Sequence, residues 1–324
     1  MNLPSRWKQN RPAYLVSLAL PLLTITGIHV GGWMTVTGLA TAFVLYPVLD
    51  LTLGESEGTN LEHLHPLFFD VILYLHCMLQ LVSVLVLLRF AHHEGYSVFF
   101  WCAALSSGTS AGTSGIVIAH ELIHRKQGWK KTMGIVVLWT VSYMHFYIEH
   151  IRGHHKWVAT SKDSASATVT QGLWSFILST IPRQWLSSFR LKPGMAITFL
   201  AVEISTLAIL FWAYGEIVAV AWITQSAMAI FLLEYVNYIR HWGLRREPDQ
   251  KVEAWHSWQS LNRWSRWTLI ELTLHADHHI TASKEYWKLQ VFGGPRLPSG
   301  YFACFYLALI PPIWKAVMRK RLPV

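Results

Sequence analysis

The stretch VFFWCAALSSGTSAGTSGIVIAHELIH, residues 98–124, joins an apolar segment directly to two histidines four positions apart. The apolar part, 98–119, is close to the ~20 residues that an α-helix needs to cross a bilayer. Side chains four positions apart share one helix face, so His120 and His124 can grip one metal ion. This stretch predicts a membrane-spanning helix that ends in a metal-binding pair.

Five further segments are similar in length and apolar character: 14–32, 33–49, 67–88, 195–213 and 217–239. The composition agrees, since 52% of the residues are hydrophobic and 14% are charged, whereas a soluble domain carries about 25% charged residues. The basic start followed by a long apolar stretch without a clear cleavage site is typical of an uncleaved first helix. We therefore predict one all-α integral membrane domain, residues 1–324, with six transmembrane helices.

Lys and Arg cluster before the first segment, after the fourth and sixth, and at the end of the chain. With six crossings these clusters fall on one side, and the positive-inside rule assigns that side to the cytoplasm. We expect segments 120–194 and 240–324 to form a cytoplasmic metal-binding cap. Within them, 173–191 has the pattern of a helix lying on the membrane surface. Segment 302–314 is apolar but short for a span, and a Pro pair ends it.

Nine of the 17 histidines fall into four groups on this predicted cytoplasmic side. The groups are His120 and His124; His150, His154 and His155; His241; and His275, His278 and His279. On an α-helix, His150 and His154 share a face, and His155 points about 100° away, toward a different metal. Nine imidazoles fit two metals with four or five ligands each. All-nitrogen ligation suits iron, zinc, copper or nickel, so the count leaves the metal open.

Other features add supporting roles and alternatives. Glu121, Glu149 and Asp277 adjoin histidines and are predicted to accept their second N–H, and Asn237 lies one turn before His241. The HExxH pattern alone would indicate a zinc protease with Glu121 as general base, but it leaves seven clustered histidines unexplained. Glu203, in the middle of the fifth apolar segment, is either functional or hydrogen-bonded to a neighbouring helix.

The three cysteines and the basic charge narrow the range of functions. Three thiols cannot supply the four ligands of a rubredoxin-type iron site, so electrons would have to come from another protein. No RNA- or DNA-binding motif accompanies the net charge of +9, and we predict no nucleic-acid partner.

The four histidine groups resemble those of the alkane hydroxylase (alkane 1-monooxygenase) family, within the fatty-acid-desaturase-like membrane di-iron superfamily. The matching stretches are HELIHR at 120–125, EHIRGHH at 149–155, NYIRHWGL at 237–244 and LHADHH at 274–279. Flanking similarity includes VATSKDSAS at 158–166 and LPSGY at 297–301.

This resemblance implies two iron ions bound by the nine histidines, and insertion of one oxygen atom from O2 into a terminal C–H bond. It also implies electrons from NAD(P)H through a reductase and a rubredoxin or ferredoxin, an apolar substrate reached from the lipid bilayer, and a bacterial inner membrane location. The family's third stretch usually has Glu where Arg240 stands and Tyr where Trp242 stands. These departures leave open a desaturase, a hydroxylase of alkyl-aromatic or acyl chains, and a non-catalytic metal-binding relative.

Overall fold

The computed structural model describes residues 11–57 and 65–323. Helices are the regular secondary structure of the described residues, which contain no β-strand beyond two isolated bridges. The helices are α1 (Ala13–Val30), α2 (Gly32–Thr52), α3 (Pro66–Glu94), α4 (Val98–Ser110, Ala111–Gly115 and Ile116–Ile123 in one continuous run), α5 (Gly128–Trp139), α6 (Phe146–Glu149, His150–His154 and His155–Trp157 in one run), α7 (Leu173–Leu191), α8 (Pro193–Tyr214), α9 (Glu216–His241), α10 (Arg263–Thr268), α11 (His275–Ile280), α12 (Tyr301–Leu309) and α13 (Pro311–Arg319). The prediction of an all-α integral membrane protein is confirmed.

Five helices of the described ranges are long and apolar enough to cross a membrane: α1, α2, α3, α8 and α9. They cover five of the six predicted segments. The remaining segment, 98–119, forms the central helix α4, which is rich in Gly, Ser and Thr and is not one of the five. Helices α12 and α13 are bent by 119° and would together add one further span. The exact number of crossings stays a prediction.

Small and polar residues allow the central helices to approach closely. A Cβ added to Gly112 of α4 would lie 2.9 Å from the Cβ of Leu232 of α9. His76 of α3 contacts Ser17 of α1 at 2.8 Å and Ser114 of α4 at 2.6 Å through its two ring nitrogens. Small residues and interhelical hydrogen bonds are the usual means of helix association in lipid.

Three tight turns lie together at one end of the bundle. Gly31, Gly95 and Gly215 end α1, α3 and α8 with φ of 79°, 74° and 92°, a conformation that favours glycine. The rings of Trp33 and Phe99, with centroids 5.3 Å apart, connect the first two turns. A hydrogen bond of 3.3 Å joins the ends of α3 and α8. The histidine groups lie at the opposite end of these helices, where the basic residues that follow α4 and α9 also lie.

Helices α5 and α6 form a hairpin whose tip, residues 140–144, reaches the interior of the bundle. Hydrogen bonds fix the tip to the neighbouring helices. Gln80 Nε2 donates to Thr140 Oγ1 at 3.0 Å, and Gln225 Nε2 donates to the Thr140 carbonyl at 2.6 Å. Trp222 Nε1 donates to Ser142 Oγ at 2.8 Å, and Met144 N donates to Glu203 Oε1 at 2.7 Å. Gln225 is 16 residues before His241 in α9, which is roughly 24 Å along a helix. Part of segment 120–194 therefore lies between the spans.

Non-helical backbone at this depth needs partners from protein, because lipid offers none. The mid-span Gln80, Gln225 and Glu203 supply them. Glu203 accepts a hydrogen bond from the backbone N of Met144, so it is hydrogen-bonded as predicted, but its donor lies in the hairpin tip and not in a neighbouring helix.

Asp50, near the end of α2, fixes the start of α12. Its carboxylate accepts hydrogen bonds from Ser265 N at 3.0 Å, Ser265 Oγ at 2.8 Å, and Phe302 N at 3.0 Å. A side chain at Gly300 would overlap this carboxylate. The close approach explains the glycine of the LPSGY stretch and brings Tyr301 and Phe302 against α2.

Helix α7 coincides with the predicted surface helix 173–191. Its buried face carries Thr180, Gln184 and Ser188 beside Leu173 and Phe176. Gln184 donates to the buried carboxylate of Glu234 at 2.9 Å, which explains a polar stripe on the inner face. The bend before Pro311 ends α12 where the Pro pair predicted it.

Candidate metal centre

Four separate elements bring all nine predicted histidines together at one end of the bundle. They form two groups, within each of which one ring nitrogen per residue lies within 4.8 Å of the others. The five-histidine group is His120, His124, His150, His155 and His278. The four-histidine group is His154, His241, His275 and His279.

The five-histidine group gathers rings from α4, α6 and α11. His150 Nε2 lies 2.9 Å from His124 Nε2 and 3.0 Å from His155 Nε2. His278 Nε2 lies 3.2 Å from His155 Nε2. The ring of His120 closes the group, 4.6 Å between centroids from both His150 and His278.

The expected pairing of His150 with His154 is wrong. Residues 150–154 form a π-helical turn, in which hydrogen bonds run from i to i+5. Five residues therefore bring the chain back to nearly the same face. His155 joins His150, while His154 turns to the other group. The predicted separation of the three rings between two sites holds, but the partners are exchanged.

The four-histidine group gathers rings from α6, α9 and α11. His275 Nε2 lies 2.8 Å from His279 Nε2 and 3.2 Å from His241 Nε2. The ring of His154 lies 4.8 Å from those of His241 and His279. His275 pairs with His279 at i+4, and His278 belongs to the other group.

The electrostatics of both groups fit cation binding. Burial, reinforced by neighbouring imidazoles, holds the pKa of His124, His150 and His278 well below the usual range, so these rings are neutral at pH 7. The Nε2 atoms of His120 and His154 are buried and have no hydrogen-bond partner among residues 11–57 and 65–323. Buried nitrogen atoms that face one another in this way are typical of a metal site, because neutral imidazole is a ligand for iron and zinc.

The outer ring nitrogens of the four-histidine group have distinct partners. His154 Nδ1 lies 3.0 Å from Asp163 Oδ2, which is the carboxylate–histidine arrangement that orients metal ligands. His241 Nδ1 lies 3.3 Å from the His256 carbonyl. Asp163 was missed as a supporting residue, although it stands in the VATSKDSAS stretch that flanks the second group.

The four residues predicted to support the histidines bind other partners in the described part of the chain. The observed contacts are Glu121 with Arg125 at 2.8 Å, Glu149 with Ser164 Oγ at 2.5 Å, Asp277 with Lys284 at 2.7 Å, and Asn237 with Arg240 at 2.9 Å. Burial and the nearby Asp163 raise the pKa of Glu149 to about 7. Sequence adjacency failed here because neighbours on a helix point in different directions.

Arg240 is directed toward the four-histidine group and forms no ion pair with a carboxylate among the described residues. It is buried, with Nη1 3.1 Å from His275 Nδ1 and Nη2 2.9 Å from Asn237 Oδ1. Asn237 in turn donates to Glu234 Oε2 at 3.1 Å. The guanidinium therefore contacts a histidine of the four-histidine group.

Two adjoining cavities lead toward the five-histidine group. The larger, the apolar cavity, has walls that are mostly apolar side chains. It is lined by Ala42, Phe43, Gly112, Thr113, Val117, Leu232, Tyr235, Val236, Leu269, Leu272, Tyr301, Phe302 and Phe305. A smaller cavity shares Val117 and Leu272 with it and is lined by His120 and His278. An apolar space between the helices thus adjoins the histidines.

Comparisons with known proteins agree over most of the chain. The family model described as fatty acid desaturase matches residues 96–292. Alkane 1-monooxygenase 1 of Pseudomonas aeruginosa is 31% identical, covering 94% of this chain and 87% of its own length. Alkane 1-monooxygenase of Pseudomonas putida is also 31% identical, over 93% and 81%. The xylene/toluene monooxygenase hydroxylase component of Pseudomonas putida is 26% identical, over 93% and 86%.

Proposed function

The chain belongs to the alkane 1-monooxygenase family, within the wider fatty acid desaturase family, and on this premise we propose that it hydroxylates the terminal carbon of an alkane or alkyl chain at two iron ions. It is a membrane non-haem monooxygenase. The observation that carries the proposal is the pair of buried histidine groups beside an apolar cavity.

The five-histidine group would hold one iron and the four-histidine group the other. Iron and O2 together supply an oxidant for an unactivated C–H bond, which no side chain can provide. The chain contributes neutral nitrogen ligands, and Asp163 and the His256 carbonyl fix the orientation of His154 and His241.

The apolar cavity would hold the alkyl chain. Its walls come from α2, α4, α9 and α12 and are almost entirely apolar, as is usual for sites that bind apolar small molecules. Val117 and Leu272 would direct the end of the chain toward His120 and His278. The apolar walls would also exclude water from the reacting carbon.

Electrons would come from a rubredoxin or ferredoxin and its NAD(P)H-dependent reductase. Three cysteines, Cys77, Cys102 and Cys304, are too few for an internal iron–sulfur centre. The metal centre would lie on the cytoplasmic side of a bacterial inner membrane, because the basic residues that follow α4 and α9 lie at the same end as the histidines.

A second candidate is hydroxylation of the methyl group of an alkyl-aromatic compound. The relative named for xylene and toluene oxidation covers nearly the whole chain and supports it. Desaturation of an alkyl chain is the other reaction that a similar site would perform.

The test uses membranes that contain the full-length chain, a rubredoxin, its reductase and NADH. Substrates are octane, dodecane, p-xylene and a fatty acid under ¹⁸O2, with products read by mass spectrometry. A labelled primary alcohol from an alkane supports the proposal. A labelled benzylic alcohol alone favours the second candidate, and an unlabelled alkene indicates desaturation.

A matched pair of variants ties the product to the metal centre. His275→Ala should lose one of the two bound irons, that of the four-histidine group, and with it the product. His93→Ala removes an exposed histidine at the opposite end of α3 and should change neither. Full activity of His275→Ala would refute the ligand assignment.

A further inference from the structure

Arg240 places a positive charge inside the four-histidine group. Its side chain is 1% exposed. Besides His275 and Asn237, it contacts the Val236 carbonyl through Nε at 3.3 Å. Among the described residues, no carboxylate forms an ion pair with it, and Glu234 is reached only through Asn237. The guanidinium charge is therefore not neutralised by direct contact.

The partner of His275 differs in kind from those of its neighbours. Asp163 beside His154 and the His256 carbonyl beside His241 are hydrogen-bond acceptors. A guanidinium has five N–H donors and no acceptor. Arg240 Nη1 can therefore only donate to His275 Nδ1, at 3.1 Å.

This contact conflicts with metal binding by His275. Its Nε2 is the nitrogen that faces His279 and His241. A neutral imidazole has one N–H and one lone pair. When the Nε2 lone pair binds a metal, the N–H lies on Nδ1 and faces an N–H of Arg240. The guanidinium charge also repels a metal dication at close range in a buried site.

The Arg240 charge also acts on rings of the five-histidine group, but in the described residues the only histidine that Arg240 contacts directly is His275 of the other group. No Lys or Arg side chain donates a hydrogen bond to any ring of the five-histidine group there, and this group has one more ligand. The two groups should therefore differ in metal affinity.

We propose that the two sites load in order: the five-histidine group binds its metal first, and the four-histidine group binds second and more weakly because Arg240 competes for His275. The proposal rests on the nine histidines being the ligands of the proposed function. Arg240 is a positioning residue, which must leave Nδ1 when the second ion binds.

The experiment is an equilibrium titration of the metal-stripped full-length chain in detergent with Co(II), a metal that also suits imidazole ligands. Bound ions per chain are measured by elemental mass spectrometry after dialysis. We expect two dissociation constants at least about tenfold apart, since groups next to ligands change affinity by ~10–100-fold. His279→Ala should abolish the weaker binding, and His124→Ala the tighter binding.

Two substitutions at position 240 separate the competition from a structural role. Arg240→Gln removes the charge and offers an oxygen that can accept the Nδ1 proton, so the weaker binding should tighten by about 10–100-fold. Arg240→Lys keeps a cation and should leave it weak. A purely structural role predicts that both variants lose metal alike, which would overturn the proposal.

The titration of the wild-type chain tests the loading order independently of these variants. Two equal dissociation constants would overturn the loading order and leave the proposed function standing. Saturation below two ions per chain would refute the two-metal function itself. Loss of the weaker binding in His124→Ala, with the tighter binding kept, would show the reverse order.

Discussion

Asp50 offers the sharpest test of how the fold holds the apolar cavity. It is 1% exposed and joins α2 to Ser265 and to the first turn of α12, which carries Tyr301 and Phe302 of the cavity wall. Asp50→Asn keeps the shape of the side chain but converts one acceptor oxygen into an NH2 donor. The substitution should weaken the attachment of α12 to α2 without altering any histidine.

The magnitude follows from the contacts. One carboxylate oxygen accepts Ser265 N at 3.0 Å, and the other accepts Phe302 N at 3.0 Å. In either orientation of the amide, one of these buried N–H groups faces another donor. A buried unsatisfied donor costs about 1–3 kcal/mol, so the free energy of unfolding should fall by about that amount. The corresponding drop in Tm is roughly 2–10 °C.

The assay is thermal unfolding of the purified chain in detergent, with bound iron measured on the same samples. Glu57→Gln is the matched control, because Glu57 has the same kind of carboxyl group on an exposed side chain. We expect a lower Tm and unchanged iron for Asp50→Asn, and no change for the control. An unchanged Tm for Asp50→Asn would refute the assigned role.

Four further outcomes are expected. Asp163→Asn removes the carboxylate beside His154 and should weaken Co(II) binding about 10–100-fold in the titration above; unchanged binding would contradict that role. Thr113→Trp narrows the apolar cavity and should shorten the longest alkane oxidised, read by mass spectrometry, with iron content unchanged; an unaltered chain-length range would disprove the cavity assignment. Lowering the pH from 7 to 5 should lower the Tm of the metal-free chain. The histidines of the two groups have lowered pKa values in the folded chain, so the unfolded chain takes up more protons below pH ~6.5. A Tm that does not change with pH would argue against neutral buried rings. Gln225→Leu leaves the Thr140 carbonyl without its donor and should lower the free energy of unfolding by about 1–3 kcal/mol. An unchanged Tm would count against the position of the α5–α6 hairpin between the spans.

Local sequence patterns were sufficient to predict much of the metal centre. The apolar runs predicted the long helices, and the four histidine groups identified the nine rings that converge. These signals are local, because hydropathy over ~20 residues and a spacing of four on a helix do not depend on the rest of the fold.

The distribution of rings between the two groups was not predictable in the same way. The π-helical turn at 150–154 exchanges His154 and His155, and an ideal α-helix was the only basis for the expected pairing. Asp163 was missed for a related reason, since it lies nine positions after His154, beyond a turn. Its contact depends on how the segment after α6 folds back.

The sequence by itself determined the membrane class, the ligand chemistry and the separation of the histidines into more than one site. The tertiary structure decided which rings share a group, that Arg240 donates to His275, and that the α5–α6 hairpin lies between the spans. The physical reason is that burial and helical periodicity act within a segment, whereas a hydrogen bond across 35 residues, as between Arg240 and His275, exists only after the segments have packed.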